Sequence, residues 1–219
     1  MRELSGRLIT ALVSCLVLAV VFGYVALSIG NGSIVQFDTT IIHFVQGAEA
    51  PWLTKVMKVF TTIGSTKAVI AISAITLGLL LYFRQKAQTI LFLMVIGGTA
   101  SLNYVLKLFF QRARPDLNRL IEISGYSFPS GHTMMATSLY IILAFILWRN
   151  ARKPGRILYV ISAIFMISMI CISRIYLGVH YPSDIVGGIS ASTFWLLIST
   201  SVYAIFMNNR QANSHLSVR

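Results

Sequence analysis

Apolar and charged positions are separated along this chain into long blocks. Six runs of 16 to 23 residues contain no Asp, Glu, Lys or Arg. A helix crosses a hydrocarbon core about 30 Å thick with about 20 mostly apolar residues. The runs are 8–29, 68–83, 87–106, 133–148, 157–173 and 185–207. We therefore predict an all-α polytopic membrane protein, a six-transmembrane-helix bundle in which residues 1–219 form one integral membrane domain.

The first run follows two arginines, as the core of a signal peptide also does. At 22 residues, however, it is longer than the roughly 7 to 15 apolar residues of such a core. We expect run 8–29 to be a retained membrane span.

A shorter helical pattern lies between the first two runs. Apolar residues recur there on one helix face, and polar residues occupy the other face, as in helices that lie in a membrane interface. The apolar positions are Trp52, Leu53, Val56, Met57 and Phe60. This predicts an interfacial amphipathic helix in the first outer loop, where it would shape how a lipid enters. A helix packed on the bundle is the alternative that the pattern leaves open.

Composition and charge narrow the class of protein. Hydrophobic residues make up 56% of the chain and charged residues 11%, against about 25% charged residues in soluble domains. These values exclude a disordered chain and argue against a soluble enzyme. The formal charge of +12 comes from residues between apolar blocks, so we expect membrane lipids and no nucleic acid as partners.

Basic residues in short loops indicate the orientation, because they are retained on the cytoplasmic side. With six spans, ten Lys and Arg residues fall on the side of the chain ends and eight on the other side. Three of these eight, Lys107, Arg114 and Arg174, belong to a candidate functional site at the ends of the runs. Without them, five basic residues remain on that other side. We expect both termini to be cytoplasmic.

Unusual polar residues gather where four of the runs begin or end. Successive spans alternate in direction, so these four ends meet at the outer face. Ionisable residues at membrane depth generally mark a functional site. The residues are Lys107, Arg112, Arg114, Ser130, His132, Arg174, His180 and Asp184.

Lys107 and Arg114 are seven residues apart. If the third helix persists that far, both cations lie on one face and can face one ligand. Pro115 then ends or kinks the helix. Anchoring at the membrane interface is the alternative for these two residues taken alone.

Ser130 is a good N-cap for the fourth span. The free backbone N–H groups of the first helical turn, with Gly131 leaving room for close approach, form an anion site that suits phosphate. Without a ligand, the same pattern is simply a helix start.

Pro182 suits the first turn of the sixth span. Asp184 then lies just inside that helix and His180 just before it, close enough for a carboxylate–imidazole hydrogen bond. Such a bond fixes the imidazole tautomer and leaves the other ring nitrogen free as a nucleophile or base.

Three segments together resemble the signature motifs of the type 2 phosphatidic acid phosphatase (PAP2) superfamily. They are Lys-x6-Arg-Pro at 107–115, Pro-Ser-Gly-His at 129–132 and Ser-Arg-x5-His-x3-Asp at 173–184. All three match in order and without departure. The chain resembles the small bacterial members that dephosphorylate phosphatidylglycerophosphate, phosphatidic acid or undecaprenyl pyrophosphate.

The resemblance implies a role for each residue. His180 is the nucleophile that forms a phosphohistidine, Asp184 orients it, and His132 protonates the leaving lipid oxygen and then activates water. It implies no metal and no cofactor, and we expect a lipid phosphate substrate with no obligate protein partner. The implied phosphate-binding residues are Lys107, Arg114, Ser130, Gly131 and Arg174.

Two other functions share part of this pattern. A lipid phosphotransferase has the same motifs, and only the products distinguish it from a hydrolase. A lipid transporter also places charges inside a bundle, but usually near the midplane between related halves, whereas these residues cluster at one end.

Overall fold

The computed structural model describes residues 2–116, 118–150 and 153–216. Within these ranges the chain forms eight α-helices and no strand, which confirms the all-α class. The helices are α1 (Arg2–Gly30), α2 (Val35–Gln46), α3 (Pro51–Ile63), α4 (Thr66–Tyr82), α5 (Lys86–Phe110), α6 (Gly131–Asn150), α7 (Lys153–Tyr176) and α8 (Pro182–Leu216).

The six predicted spans correspond to α1 and to α4 through α8. Five of these helices are long and apolar enough to cross a membrane individually, and α4, with 17 residues, is the shortest of the six. Helices α3 and α4 meet the same criteria as a pair, with a bend of 49° between them. The protein is therefore a multi-pass membrane protein, in which the second span is preceded by a bent helical extension.

Helix α6 lies at the centre of the bundle, against α4, α5, α7 and α8. Its Leu139 and Ile142 are fully buried beside Phe92 of α5. Helix α1 packs mainly on α8, and most of its apolar side chains are exposed, as expected for a helix that faces lipid. The core therefore joins α5, α6 and α8, the helices that also carry several of the predicted site residues.

Close helix approach is required between α5 and α8. A Cβ at Gly98 would lie 2.2 Å from the Trp195 ring, so a side chain at this position would force the helices apart. The Trp195 indole donates a hydrogen bond to the Met94 carbonyl at 3.1 Å, which satisfies its polar group inside the bundle.

The loop between the first two spans contains two helices, α2 and α3, of which the sequence predicts only the second. Met57 of α3 is buried in a cluster with Tyr176 and Leu177 of α7 and its C-terminal turn. Trp52 remains 67% exposed. The apolar face of α3 is thus divided: part of it packs on the bundle, and part is open to the surroundings.

Helix α5 does not persist to Arg114, and the expectation that Lys107 and Arg114 share one helix face is wrong. The helix ends at Phe110, where Gln111 adopts a left-handed conformation with φ of 45°. The Gln111 N–H donates to the Lys107 carbonyl at 3.1 Å, which is the last backbone hydrogen bond of the helix. The chain then leaves the helix five residues before Pro115, so that proline does not end it.

Candidate active site

A cavity of about 640 Å³ opens where α5 and α7 end and where α6 and α8 begin. Six of the predicted site residues line it, although five different parts of the chain supply them. The residues are Lys107, Arg114, Gly131, His132, Arg174 and His180. The predicted meeting of the four polar run ends at one end of the bundle is confirmed.

His180 and Asp184 form the hydrogen bond that their spacing predicts. The Nδ1 atom of His180 lies 3.2 Å from Oδ2 of Asp184, and both side chains are almost completely buried. On the other edge of the ring, Nε2 lies 3.2 Å from Nη1 of Arg114. A guanidinium only donates hydrogen bonds, so Nε2 is the acceptor and the ring proton is on Nδ1. His180 thus presents an unprotonated Nε2, as a nucleophile requires.

Burial also favours the neutral imidazole. It lowers the pKa of His180 from 6.5 to about 4, assisted by the charges of Arg174 and Arg114 and opposed by Asp184. Burial lowers the pKa of Arg114 too, but a guanidinium remains charged at neutral pH. At pH 7 the site therefore combines a neutral imidazole with fixed cations.

Asp184 is held by three further groups besides the His180 ring. Its Oδ2 accepts hydrogen bonds from the Ser127 hydroxyl and, at 2.9 Å, from the Tyr181 N–H. Its Oδ1 lies 2.8 Å from Nη1 of Arg112. The same Arg112 nitrogen also donates to the Ser183 hydroxyl at 2.7 Å. The carboxylate is therefore fixed in one orientation.

Arg174 is a buried cation with unused hydrogen-bonding capacity. Its side chain is 1% exposed, and one nitrogen, Nη1, donates to the Thr61 hydroxyl. Its Nε and Nη2 atoms are buried without a partner. An unpaired charged donor inside a protein is costly, and Arg174 lines the cavity. These two nitrogen atoms are suited to an anionic ligand in the cavity.

Lys107 and Arg114 converge on the same backbone turn. Arg114 donates to the carbonyls of Gly125 at 2.9 Å, Ser124 at 3.2 Å and Tyr126 at 3.3 Å. Lys107 donates to the Tyr126 carbonyl at 2.5 Å. Because the chain leaves the helix at Phe110, it is this turn, and not a shared helix face, that brings the two cations together.

Ser130 is the N-cap of α6, as the sequence predicts. Its hydroxyl accepts the N–H of Thr133 at 3.4 Å and the hydroxyl of Thr133 at 3.0 Å. Ser130 is fully buried and is not among the residues that line the cavity. Gly131 and His132 of the first turn do line it, so the start of α6 borders the cavity.

His132 is less constrained than His180. It lines the cavity, and its Cδ2 lies near Gly64, where an added Cβ would be 3.4 Å away. No side chain of the described residues hydrogen-bonds to its ring. Its two nitrogen atoms are thus available to a ligand or to water.

Beyond the charged end, the cavity continues between α4 and α5. Its walls there are mostly apolar, with Ile70, Ala74 and Leu77 on one side, beside Ser73, and Ile96 and Ala100 on the other. The site therefore combines a polar end for an anion with an apolar extension along the membrane-spanning helices.

Sequence reasoning missed several residues that support the site. Asp38 of α2 pairs with Arg112 at 2.8 Å, Thr61 of α3 accepts from Arg174, and Ser127 donates to Asp184. Asn103 of α5 lines the cavity and donates to the Pro129 carbonyl at 3.3 Å. One signal was available: Asp38 is an acidic residue in a chain with only 6 Asp and Glu.

The side chains that could act as metal ligands are His, Cys, Asp and Glu. No three His, Cys, Asp or Glu side chains among the described residues lie close enough together to hold a metal ion. The positive charge at the cavity comes from Lys and Arg side chains.

Comparisons with known proteins give matches over much of the chain. The sequence profile of the PAP2 superfamily matches residues 88–208. The chain is 32% identical to phosphatidylglycerophosphatase B of Bacillus subtilis over 172 residues, which are 77% of this chain and 84% of that protein. It is 29% identical over 139 residues to a lipid A 1-phosphatase of Rhizobium etli, covering 55% of this chain and 56% of that protein.

A solved structure resembles the fold over most of its length. The crystal structure of a transmembrane PAP2-type phosphatidylglycerolphosphate phosphatase from Bacillus subtilis superposes with a TM-score of 0.81 and 29% sequence identity. The superposition covers 86% of this chain and 95% of that one. The similarity thus extends over the membrane spans as well as the three motifs.

Proposed function

Because this chain belongs to the PAP2 superfamily, we propose that it is an integral membrane lipid phosphatase that acts through a phosphohistidine. Its proposed substrate is phosphatidylglycerophosphate, phosphatidic acid or undecaprenyl pyrophosphate, from which it removes the terminal phosphate. The relatives named above act on phosphorylated lipids according to their names, which supports this class of substrate.

The two nitrogen atoms of the Arg174 guanidinium that lack a hydrogen-bond partner are the observation that carries the proposal. Two of its nitrogen atoms are buried without a partner, on a cavity that also contains His180 and His132. A monoester phosphate carries about −1.5 to −2 charges near neutral pH. Such an anion supplies the missing acceptors and offsets the charges of Arg174, Arg114 and Lys107.

The first chemical step is attack by His180. The Nε2 lone pair forms a bond to phosphorus while the bond from phosphorus to the lipid oxygen breaks. His132 gives a proton to the leaving oxygen, so that the lipid departs as a neutral alcohol or, from a pyrophosphate, as a lipid monophosphate. Asp184 stabilises the positive charge that develops on the His180 ring through the hydrogen bond to Nδ1.

In the second step His132 acts as a base, whereas in the first step it acts as an acid. The neutral imidazole accepts a proton from water, and the resulting hydroxide attacks phosphorus. The bond between Nε2 and phosphorus breaks, inorganic phosphate leaves, and His180 regains its lone pair. Arg174, Arg114, Lys107 and the amides at Gly131 stabilise the charge on the phosphoryl oxygens in both steps. Ser130 supports these amides by capping α6.

The proposed reaction uses no divalent metal. Asp184 is the carboxylate nearest to the histidines, and its oxygens are already occupied by His180, Ser127 and Arg112. A paired metal site requires several free carboxylate or imidazole ligands, and three fixed cations supply the charge that metal ions provide in other phosphatases.

We place the active site on the extracytoplasmic side of the cell membrane, with both termini in the cytoplasm. The support is the distribution of basic residues along the sequence: segments 84–86 and 149–156, each of which connects two predicted spans, contain six Lys and Arg residues. Basic loops remain on the cytoplasmic side.

Phosphate release from purified, detergent-solubilised protein tests this function. The substrate panel comprises phosphatidylglycerophosphate, phosphatidic acid, diacylglycerol pyrophosphate and undecaprenyl pyrophosphate, compared by kcat/KM with and without EDTA. We expect inorganic phosphate from at least one lipid and no loss of rate with EDTA. Release with no membrane to cross excludes a transporter, and transfer of the phosphoryl group to an added lipid alcohol instead of water would identify a phosphotransferase. Loss of activity with EDTA and recovery with magnesium would contradict the mechanism.

A further inference from the structure

Asp38 of α2 is a buried carboxylate outside the cavity. Its side chain is 1% exposed, and Asp38 is not among the residues that line the cavity. The two oxygens have separate partners: Oδ1 accepts the Ser183 N–H at 2.8 Å, and Oδ2 lies 2.8 Å from Nη2 of Arg112 and 2.6 Å from the Ser183 hydroxyl. A buried charge with this many partners is held in one place.

Arg112 links this carboxylate to the proposed catalytic residues. Its Nη2 contacts Asp38 and its Nη1 contacts Oδ1 of Asp184, each at 2.8 Å. Its guanidinium carbon lies 4.0 Å from the centre of the Tyr181 ring. Because the guanidinium is planar and rigid, fixing one edge on Asp38 fixes the other edge on Asp184. Asp184 in turn holds Nδ1 of His180.

Charge gives Asp38 a second effect. Arg112 is the cation nearest to Asp184. Without Asp38, its positive charge would weaken the electrostatic stabilisation that Asp184 gives to a positively charged His180 ring. Asp38 offsets Arg112 from the opposite side. The other charged or titratable groups around His180 are Arg114 from the loop before α6, Arg174 from α7, Lys107 from α5 and His132 from α6.

We propose that Asp38 is a positioning residue for catalysis: through Arg112 it orients Asp184 against His180, and it preserves the effective charge of Asp184. This inference rests on the proposed function, since it assigns Asp38 to the same reaction. It gives α2, a helix of the loop between the first two spans, a part in the proposed reaction.

Three variants test the proposal: Asp38→Asn, Arg112→Gln and the double variant. Asp38→Asn should lower kcat about tenfold, the effect of losing one hydrogen bond to a charged group, with KM within about twofold because no phosphate-binding group is changed. The double variant should be more active than Asp38→Asn, because it no longer leaves an uncompensated cation against Asp184.

Glu49→Gln is the matched control. Glu49 is a carboxylate in the segment between α2 and α3, and it also accepts a side-chain hydrogen bond, from Asn118 at 2.7 Å, but it lies outside the catalytic network. Its kcat should match that of the unaltered protein. Equal kcat values for Asp38→Asn and Glu49→Gln, or a double variant that loses activity by the product of the two single losses, would overturn the proposal.

A measurement independent of activity separates this proposal from the lipid phosphatase function. In NMR titrations of protein with ¹³C-labelled histidine, the signal absent from His180→Gln belongs to His180. It should titrate at a higher pH in Arg112→Gln than in the unaltered protein and at no higher pH in Asp38→Asn. Equal titration in all three proteins would refute the charge linkage even if no tested lipid were a substrate. If His180 titrates as expected in the variants but no lipid releases phosphate, the charge linkage stands and the proposed lipid phosphatase function is refuted.

Discussion

Nη1 of Arg114 lies 3.2 Å from Nε2 of His180, while Asp184 holds Nδ1 on the other side of the same ring. The proposed nucleophilic nitrogen is thus in contact with one of the cations proposed to bind the phosphate. A phosphate oxygen is a stronger acceptor for a guanidinium than a neutral imidazole is. On this account, substrate binding draws Arg114 from Nε2 to the phosphoryl group and frees the lone pair for attack.

Arg114→Lys tests this relationship while keeping the positive charge. A lysine lacks the planar fork that reaches His180, the Val179 carbonyl and the carbonyls of the 124–126 turn. We expect kcat/KM to fall about 100-fold, as when a donor to the transition-state oxygens is removed. Arg119→Lys is the control, since Arg119 belongs to the same loop but pairs with Asp116 and the Pro115 carbonyl. An equal loss in both variants would indicate a general effect on the loop.

The buried guanidinium of Arg174 gives a second prediction. Arg174→Lys replaces two unpaired donors with a single point charge, so we expect the inhibition constant for orthovanadate, a phosphate mimic, to rise about 10- to 100-fold. KM should rise with it. Inhibition at the same vanadate concentration as in the unaltered protein would show that Arg174 does not bind the anion.

Thr61 provides a matched pair for the same contact. Thr61→Ser retains the hydroxyl that accepts from Arg174, and Thr61→Val removes it while keeping the shape. We expect weaker vanadate inhibition in Thr61→Val than in Thr61→Ser, by about tenfold at most, because Arg174 then has a third unpaired nitrogen. Equal inhibition would show that Thr61 does not orient the guanidinium.

The pH dependence of His180 follows from its environment. Its pKa is about 4 in the folded protein, below the roughly 6.5 of an exposed histidine. As the pH falls, the unfolded protein therefore binds the proton at His180 before the folded protein does. The contribution of His180 to the free energy of unfolding is complete above about pH 6.5 and is lost as the pH falls towards 4. Histidine NMR, assigned with His180→Gln, should show a signal that stays neutral through pH 5. A midpoint near 6.5 would contradict the buried, neutral nucleophile.

Much of the fold and part of the site follow from local sequence patterns. The apolar runs predict the spanning helices because lipid leaves a helix few alternatives. The His180–Asp184 bond and the Ser130 cap were predictable because each joins residues within one helical turn. The motifs indicated which ends of the spans face one another.

Contacts between distant segments were not predictable in this way. Arg112 and Asp38 are 74 residues apart, and Arg174 and Thr61 are 113 apart; no periodicity relates such positions. The prediction for the end of α5 was wrong because Pro115 is the stronger local signal for a helix end, whereas the helix ends earlier, at the left-handed Gln111. The supporting residues of the site thus depend on how α2 and α3 pack against α7 and α8.

Trapping the phosphorylated enzyme tests the central claim most directly. In His132→Ala, the water-activating residue is absent, while ³²P-labelled p-nitrophenyl phosphate has a leaving group that needs no proton. We expect ³²P to accumulate on the protein in an acid-labile, base-stable bond, to map to the peptide that contains His180, and to be absent when His180→Ala is added. Label on another residue, or undiminished labelling without His180, would contradict the mechanism.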